Sequence, residues 1–197
     1  MTTHGIMIER RAVLLHLKKT STDWPELKSW FSRNKYREFA PSAVARRVGI
    51  PIALWAMRTV PGTERKAREL AAAFAYGPDG KLAEAYRSAT GGCSMFDAGL
   101  DLLLRWLAGD VTDADAATMR WALSTRAMQL TDGTNAALQS LICAFAPHAW
   151  GGCGTAHERA LEAHGILLAR ENDRASRKEA IANAWEYHAF LIEDLLG

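Results

Sequence analysis

The chain has 197 residues, a formal net charge of +2, 49% hydrophobic residues and 23% charged residues. This balance is typical of a folded globular protein and excludes a chain that is disordered throughout. The length allows one sizeable hydrophobic core. Alanine is frequent and alternating runs of β-branched and aromatic residues are rare, so the composition favours helices over strands.

The small net charge hides an uneven distribution of charged residues along the chain. Residues 1–70 carry 14 Lys and Arg against 6 Asp and Glu, whereas residues 71–197 carry 10 against 16. A basic surface attracts phosphates or an acidic protein surface, and salt screens that attraction. Partner binding by the basic N-terminal third is therefore one hypothesis, and an ordinary solvated surface is the alternative.

The cysteines and the uncharged segments indicate in which cellular compartment the protein is expected. The cysteines Cys93, Cys143 and Cys153 are odd in number, and the first residues lack the charged and then apolar layout of a signal peptide. The longest uncharged stretch, residues 133–157, is interrupted by polar residues and by Pro147, so it is too broken to cross a bilayer. We therefore expect a cytoplasmic protein with reduced thiols and no membrane association.

Helix start and stop signals divide the N-terminal part of the chain into short helices. The first helix is predicted over residues 6–19, with an apolar face formed by Ile6, Val13, Leu14 and Leu17. Asp23 is the predicted cap of a second helix, which has Pro25 in its first turn and ends near Arg33. Two further helices are predicted to begin at prolines, Pro41 and Pro51, with a break at Gly49 between them.

Clearer signals follow the turn at Pro61-Gly62-Thr63. The next helix ends at Gly77-Pro78 and is predicted to bury Ala67, Leu70, Ala71 and Phe74. A short helix is predicted around residues 82–89. Another is predicted to start at Thr134 and to bend near Pro147.

Three capping boxes and a long apolar seam mark the C-terminal half. The boxes pair Ser94 with Asp97, Thr112 with Asp115, and Thr155 with Glu158. The last helix is predicted over residues 173–196, with a seam formed by Ile181, Trp185, His188, Ile192 and Leu195. We expect this helix to pack against the helices that follow the first two boxes.

A short segment occurs twice. Thr90-Gly91-Gly92-Cys93 recurs as Trp150-Gly151-Gly152-Cys153, and each copy is followed by predicted helices. The recurrence is consistent with a duplicated helical hairpin, and chance similarity is the alternative.

Cys153, His157 and His164 are the strongest candidates for chemistry. Both histidines are predicted on one face of a helix and could bind zinc with Cys93, although they lie about 10 Å apart along the helix axis. Cys153 is predicted to precede a helix N-terminus, where a thiol pKa falls and where His157 could act as a base. The alternative, which we favour, is a pair of core histidines and an inert thiol. We therefore predict no catalytic, metal-binding or cofactor-binding residue.

The segment from Lys28 to Arg37 interleaves basic and aromatic side chains. Such a surface fits nucleic acid, because cations contact phosphates while rings stack on bases, and it fits a protein partner as well. A third interpretation places Trp30 and Phe31 in the core. The predicted partner-binding residues are Lys28, Trp30, Arg33, Lys35, Tyr36 and Arg37.

One stretch of the sequence resembles a known family. It contains Trp55-Ala56-Met57-Arg58, Pro61, Arg65-Lys66-Ala67 and the alanine-rich run 72–77. This arrangement is similar to a segment of the all-helical immunity proteins of bacterial toxin systems. The resemblance implies a small cytoplasmic protein that binds and neutralises a toxin, and it carries over no catalytic residue.

These patterns predict an all-α fold, with a single domain over residues 1–197 and eight to ten helices in a bundle or short solenoid. The leading functional prediction is a non-enzymatic protein-binding protein, such as an immunity or inhibitor protein of bacterial or phage origin. One alternative is a nucleic-acid-associated accessory protein that uses the basic N-terminal third. A second is a thiol- or metal-dependent enzyme at Cys153 and His157. Another protein is the expected partner, and the oligomeric state is left open.

Overall fold

The computed structural model describes residues 6–20, 24–92, 94–169 and 174–197. Two short antiparallel strands, β1 (Ile8–Glu9) and β2 (Glu38–Phe39), pair with Ile8 opposite Phe39. The α-helices in these residues are α1 (Arg10–Thr20), α2 (Pro25–Arg33), α3 (Pro41–Val48), α4 (Ile50–Ala56), α5 (Glu64–Tyr76), α6 (Lys81–Ala89), α7 (Met95–Ala108), α8 (Asp113–Ala127), α9 (Asp132–Ala144), α10 (Ala149–Leu167) and α11 (Arg174–Leu196).

The all-α prediction is confirmed, but the described residues form eleven α-helices rather than eight to ten. The helix predicted to start at Thr134 and bend near Pro147 ends at Ala144, and the next helix begins at Ala149 rather than at the predicted box of Thr155. Two short 3₁₀ turns, Met57–Thr59 and Pro78–Gly80, follow α4 and α5. None of the helices in the described part of the chain is both long and apolar enough to span a membrane.

Prolines begin the short N-terminal helices as predicted. Pro25, Pro41 and Pro51 each stand in the first turn, where the missing amide hydrogen costs no hydrogen bond. Gly49 has a φ of 105°, a conformation that favours glycine, and it separates α3 from α4. The predicted cap Asp23 lies outside the described residues.

Helices α5, α9 and α10 pack against one another and form the centre of the molecule. The predicted apolar face of α5 is fully buried there, and it consists of Ala67, Leu70, Ala71 and Phe74. Gly152 allows the close approach of α10 to α9, since a Cβ at this position would lie 2.2 Å from the carbonyl oxygen of Cys143.

The C-terminal helix α11 packs mainly against α10, α3 and α5, so the prediction that it lies against α7 and α8 is wrong. His188 explains the placement, because its ring packs on Phe74 of α5 and contacts His157 of α10. The predicted seam is only partly correct. His188 and Ile192 are buried, but Trp185 is 37% exposed.

One of the three predicted capping boxes is present. Thr112 and Asp115 form both hydrogen bonds of the box at the start of α8. Ser94 makes no side-chain cap and has helical rather than extended backbone dihedrals, while Asp97 forms an ion pair with Arg87. Thr155 and Glu158 lie inside α10, so the third box is absent.

The repeated Gly-Gly-Cys segments adopt different backbones. Gly91 and Gly92 form a turn with φ values of 66° and 82°, whereas Gly151 and Gly152 lie in the first turns of α10. Cys93 is outside the described residues. The difference argues against a duplicated hairpin.

Candidate functional site

The pairing of β1 with β2 brings the segment 34–37, between α2 and β2, beside the start of α1. The backbone amide of Arg10 donates to the carbonyl oxygen of Arg37 at 2.9 Å. The Arg10 guanidinium donates to the carbonyl oxygen of Asn34, also at 2.9 Å, and lies 6.0 Å from the centre of the Phe31 ring. These bonds fix the distance between α1 and the segment 34–37.

A groove of about 820 Å³ lies between the exposed side of α1 and this segment. We call it the basic groove, and its lining residues are Glu9, Arg10, Arg11, Leu14, Leu15, Lys18, Lys35, Tyr36 and Arg37. The set combines five cationic side chains with one carboxylate, two leucines and one tyrosine.

The positive charge of the basic groove is largely uncompensated. Within the described residues, no carboxylate forms an ion pair with Arg11, Lys18, Lys35 or Arg37. Arg11 and Lys18 lie two helical turns apart on α1, and the cations of the opposite wall stand on either side of Tyr36. Like charges held this close repel one another, so an anionic surface placed in the groove would be attracted.

Apolar side chains are exposed between these charges. Leu15 is 59% exposed, Leu14 is 38% exposed and Tyr36 is 72% exposed. The buried side of α1 consists of Val13 and Leu17, so the prediction that Leu14 belongs to the apolar core face is wrong. Successive residues of a helix are about 100° apart, so Leu15 lies opposite the stripe of Val13 and Leu17, and Leu14 lies on the flank of that stripe.

The structure divides the six predicted partner-binding residues into two groups. Lys35, Tyr36 and Arg37 line the basic groove. Trp30 instead packs on Phe39, with ring centres 4.5 Å apart, and belongs to the edge of the core. The remaining two, Lys28 and Arg33, are exposed on α2 outside the groove lining.

Sequence reasoning missed the half of the groove that α1 contributes. Its residues are Arg10, Arg11, Leu14, Leu15 and Lys18. The signal was present in the sequence, because two leucines fall outside the stripe of Val13 and Leu17 and stand between cations. The pairing of β1 with β2 brings this face of α1 beside the segment 35–37, and the sequence did not predict that pairing.

The predicted thiol site has a different environment from the one expected. Cys153 lies within α10 and is completely buried, and burial raises its pKa well above the ordinary value. The alternative hypothesis of a lowered thiol pKa before a helix N-terminus is therefore wrong. His157 directs its hydrogen bond to His188, and the structure gives Cys153 no such partner among the described residues.

Three buried histidines form a cluster between α10 and α11. The Nδ1 atoms of His157 and His188 lie 2.7 Å apart, so one ring donates its proton and the other accepts it. The ring of His164 lies 6.3 Å from that of His188. For the Nε2 atoms of all three rings, the described residues provide no hydrogen-bond partner.

Burial keeps these histidines neutral, because a charged imidazolium is poorly solvated in the core. Desolvation lowers the pKa of His157 and of His164 to about 4. Desolvation also lowers the pKa of His188, and the neighbouring histidines lower it further by a smaller amount. In the described part of the chain, no three His, Cys, Asp or Glu side chains are arranged to hold a metal ion. The cluster fits the interpretation of core histidines better than that of zinc ligands.

Comparison with protein-family models, with curated protein sequences and with solved structures finds no match to this chain.

Proposed function

We propose that this chain is a non-enzymatic protein-binding protein of the immunity or inhibitor type, which occludes an acidic partner through the basic groove. The proposal includes a cytoplasmic location. The observation that carries it is the exposure of Leu14, Leu15 and Tyr36 in the middle of five cationic side chains. Protein interfaces combine such an apolar and aromatic centre with a charged rim.

The leucines favour a protein over a nucleic acid as the partner. Nucleic acids are held by cations on phosphates and by rings on bases, and Lys35, Tyr36 and Arg37 could supply both contacts. Leu14 and Leu15 would gain little from a phosphate backbone. Against an apolar side chain of a protein they would lose their contact with water, which stabilises a complex.

The interior of the protein also supports a binding role. Cys153 is buried with a raised pKa, and the buried histidines are held neutral by desolvation. A nucleophile must be a thiolate or an activated hydroxyl that substrate can reach. The Cys153 thiol and the buried histidines are not accessible in this way. The basic groove, by contrast, is open to a macromolecule.

The stretch that resembles immunity proteins would belong to the core of the fold rather than to the binding surface. Trp55, Ala56, Met57 and Ala67 are buried in α4, the following turn and α5. If the resemblance reflects common ancestry, the partner-binding residues would be specific to this chain.

Photocrosslinking from inside the groove tests the proposal. A benzophenone amino acid replaces Tyr36 in the full chain, and a matched variant carries it in place of Trp121, which is 71% exposed on α8 and outside the groove. Cross-links are formed in the native cell and identified by mass spectrometry. We expect a protein that cross-links from position 36 and not from position 121.

The candidate partner is then purified and titrated against the wild-type chain and an Arg11→Glu/Lys18→Glu variant. Direct binding that the double variant weakens by about tenfold or more supports the proposal, since two attractive contacts become repulsive. Cross-links from position 36 to nucleic acid alone would contradict it and favour the accessory-protein alternative. Equal cross-linking from both positions would also contradict it.

A further inference from the structure

We infer that the basic groove accepts one acidic amphipathic α-helix of the partner protein, laid along α1. The inference rests on the proposed function and adds the shape and charge pattern of the bound segment. It follows from the spacing of the residues on the two walls of the groove.

The wall formed by α1 repeats with helical period. Arg11 and Lys18 are seven residues apart, which is about 10 Å along the axis, and Leu14 and Leu15 stand between them. A second helix beside α1 would have the same rise per residue. Carboxylates two turns apart on that helix would face Arg11 and Lys18, while apolar residues between them would cover the leucines.

The opposite wall complements this pattern. Tyr36 is 72% exposed and stands between Lys35 and Arg37 on a segment held in place by hydrogen bonds from Arg10. A helix lying between the two walls would bury the Tyr36 ring on one side and the leucines on the other. Cations on both walls would then contact acidic residues on both flanks of the bound helix.

Size and charge exclude a simpler occupant. The groove volume of about 820 Å³ exceeds what a single carboxylate or phosphate group would fill. An extended acidic peptide could satisfy the cations, but its side chains alternate at every second residue and would not match the spacing of Arg11, the leucines and Lys18. An acidic helix with one apolar stripe meets all of these requirements.

A designed peptide tests the inference without knowledge of the partner. The probe is a fluorescein-labelled peptide of about 18 residues, with leucines at i, i+3, i+4 and i+7 and glutamates on both flanks of this stripe. Three controls are a peptide of the same composition in shuffled order, polyglutamate, and a single-stranded oligonucleotide. Fluorescence anisotropy measures the affinity for the full chain, and circular dichroism measures the helix content of the peptide on binding.

We expect the amphipathic peptide to bind at least about tenfold more tightly than the shuffled peptide and polyglutamate, and to gain helix on binding. Leu14→Gln/Leu15→Gln should weaken binding by about tenfold, and so should Arg11→Glu/Lys18→Glu. The matched control Lys81→Glu/Lys178→Glu reverses two exposed charges outside the groove and should weaken it by less than about threefold. Thermal melts of each variant check that these exposed substitutions leave the fold intact.

Several results would overturn the inference. They are equal binding of the amphipathic and shuffled peptides, tighter binding of the oligonucleotide, or no effect of the leucine variant. A protein that cross-links from position 36 while the amphipathic peptide fails to bind would leave the proposed function standing and reject only the helical occupant. Failure of both experiments would reject both proposals.

Discussion

At the residue scale, Arg68 joins three parts of the core through one side chain. Its guanidinium donates to the carbonyl oxygens of Ala144 and Ala146, at 2.8 Å and 2.9 Å, just where α9 ends. It also lies 4.3 Å from the centre of the Trp106 ring on α7. The last carbonyl groups of a helix have no partner within the helix, and Arg68 satisfies two carbonyls at this break.

Replacing Arg68 by Met should therefore destabilise the protein by about 2 kcal/mol, because two partly buried carbonyl groups lose a charged donor while the apolar stem is retained. The control Arg65→Met removes a mostly exposed arginine whose ion pair with Glu69 lies on the surface. It should cost less than about 1 kcal/mol. Urea unfolding of both variants measures the difference, and equal losses would contradict the assigned role.

At the element scale, the contact between α9 and α10 depends on a glycine. A Cβ on Gly152 would lie 2.2 Å from the carbonyl oxygen of Cys143 and 2.6 Å from the Cβ of Ala146. Both atoms belong to the end of α9 or the turn after it, so neither can move without displacing backbone. Two residues further along α10, a Cβ on Gly154 would meet no atom within 4 Å.

Gly152→Ala and Gly154→Ala should therefore have opposite effects on stability. We expect Gly152→Ala to lower the free energy of unfolding by about 3 kcal/mol, since α10 must move away from α9. Gly154→Ala should raise it by about 0.5–1 kcal/mol, because alanine restricts the unfolded chain and favours the helix. Thermal or urea unfolding of the pair decides the matter, and similar values for the two variants would show that the helices are not in close contact at Gly152.

At the scale of the whole molecule, the histidine cluster links folding to pH. In the unfolded chain each histidine has a pKa near 6.5, whereas burial lowers the pKa of His157 and His164 to about 4 in the folded protein. Between these values the unfolded chain binds more protons than the folded one. Stability is therefore complete above about pH 6.5 and is lost as the pH falls towards 4.

Each of these two histidines should contribute a loss of about 2–3 kcal/mol between pH 7 and pH 4.5. We expect His164→Leu to make the decline of stability with falling pH shallower by about this amount. His148→Gln, at an exposed histidine, should leave the decline unchanged. Urea midpoints measured across this pH range provide the test, and an unchanged slope in His164→Leu would refute the effect of burial.

The two walls of the candidate site differ in how far the sequence predicted them. Lys35, Tyr36 and Arg37 were predicted because charge and aromatic content are visible in the sequence itself. Leu14 was assigned to the core, but the pattern of apolar residues in α1 fits a buried Leu14 and an exposed Leu14 about equally well. Burial depends on which face of α1 meets the rest of the protein, and a short helix offers too few turns to define that face.

The sequence alone determined the helical class, the prolines that begin short helices, the buried face of α5 and the capping box at Thr112. These features depend on local backbone geometry and on periodicity within one segment, which nearby residues control. Only the tertiary structure decided where α11 packs, which thiol is buried, and that α1 and the segment 35–37 form one groove. Those outcomes depend on contacts between residues far apart in the chain, and many arrangements of amphipathic helices bury similar apolar area before specific packing selects one.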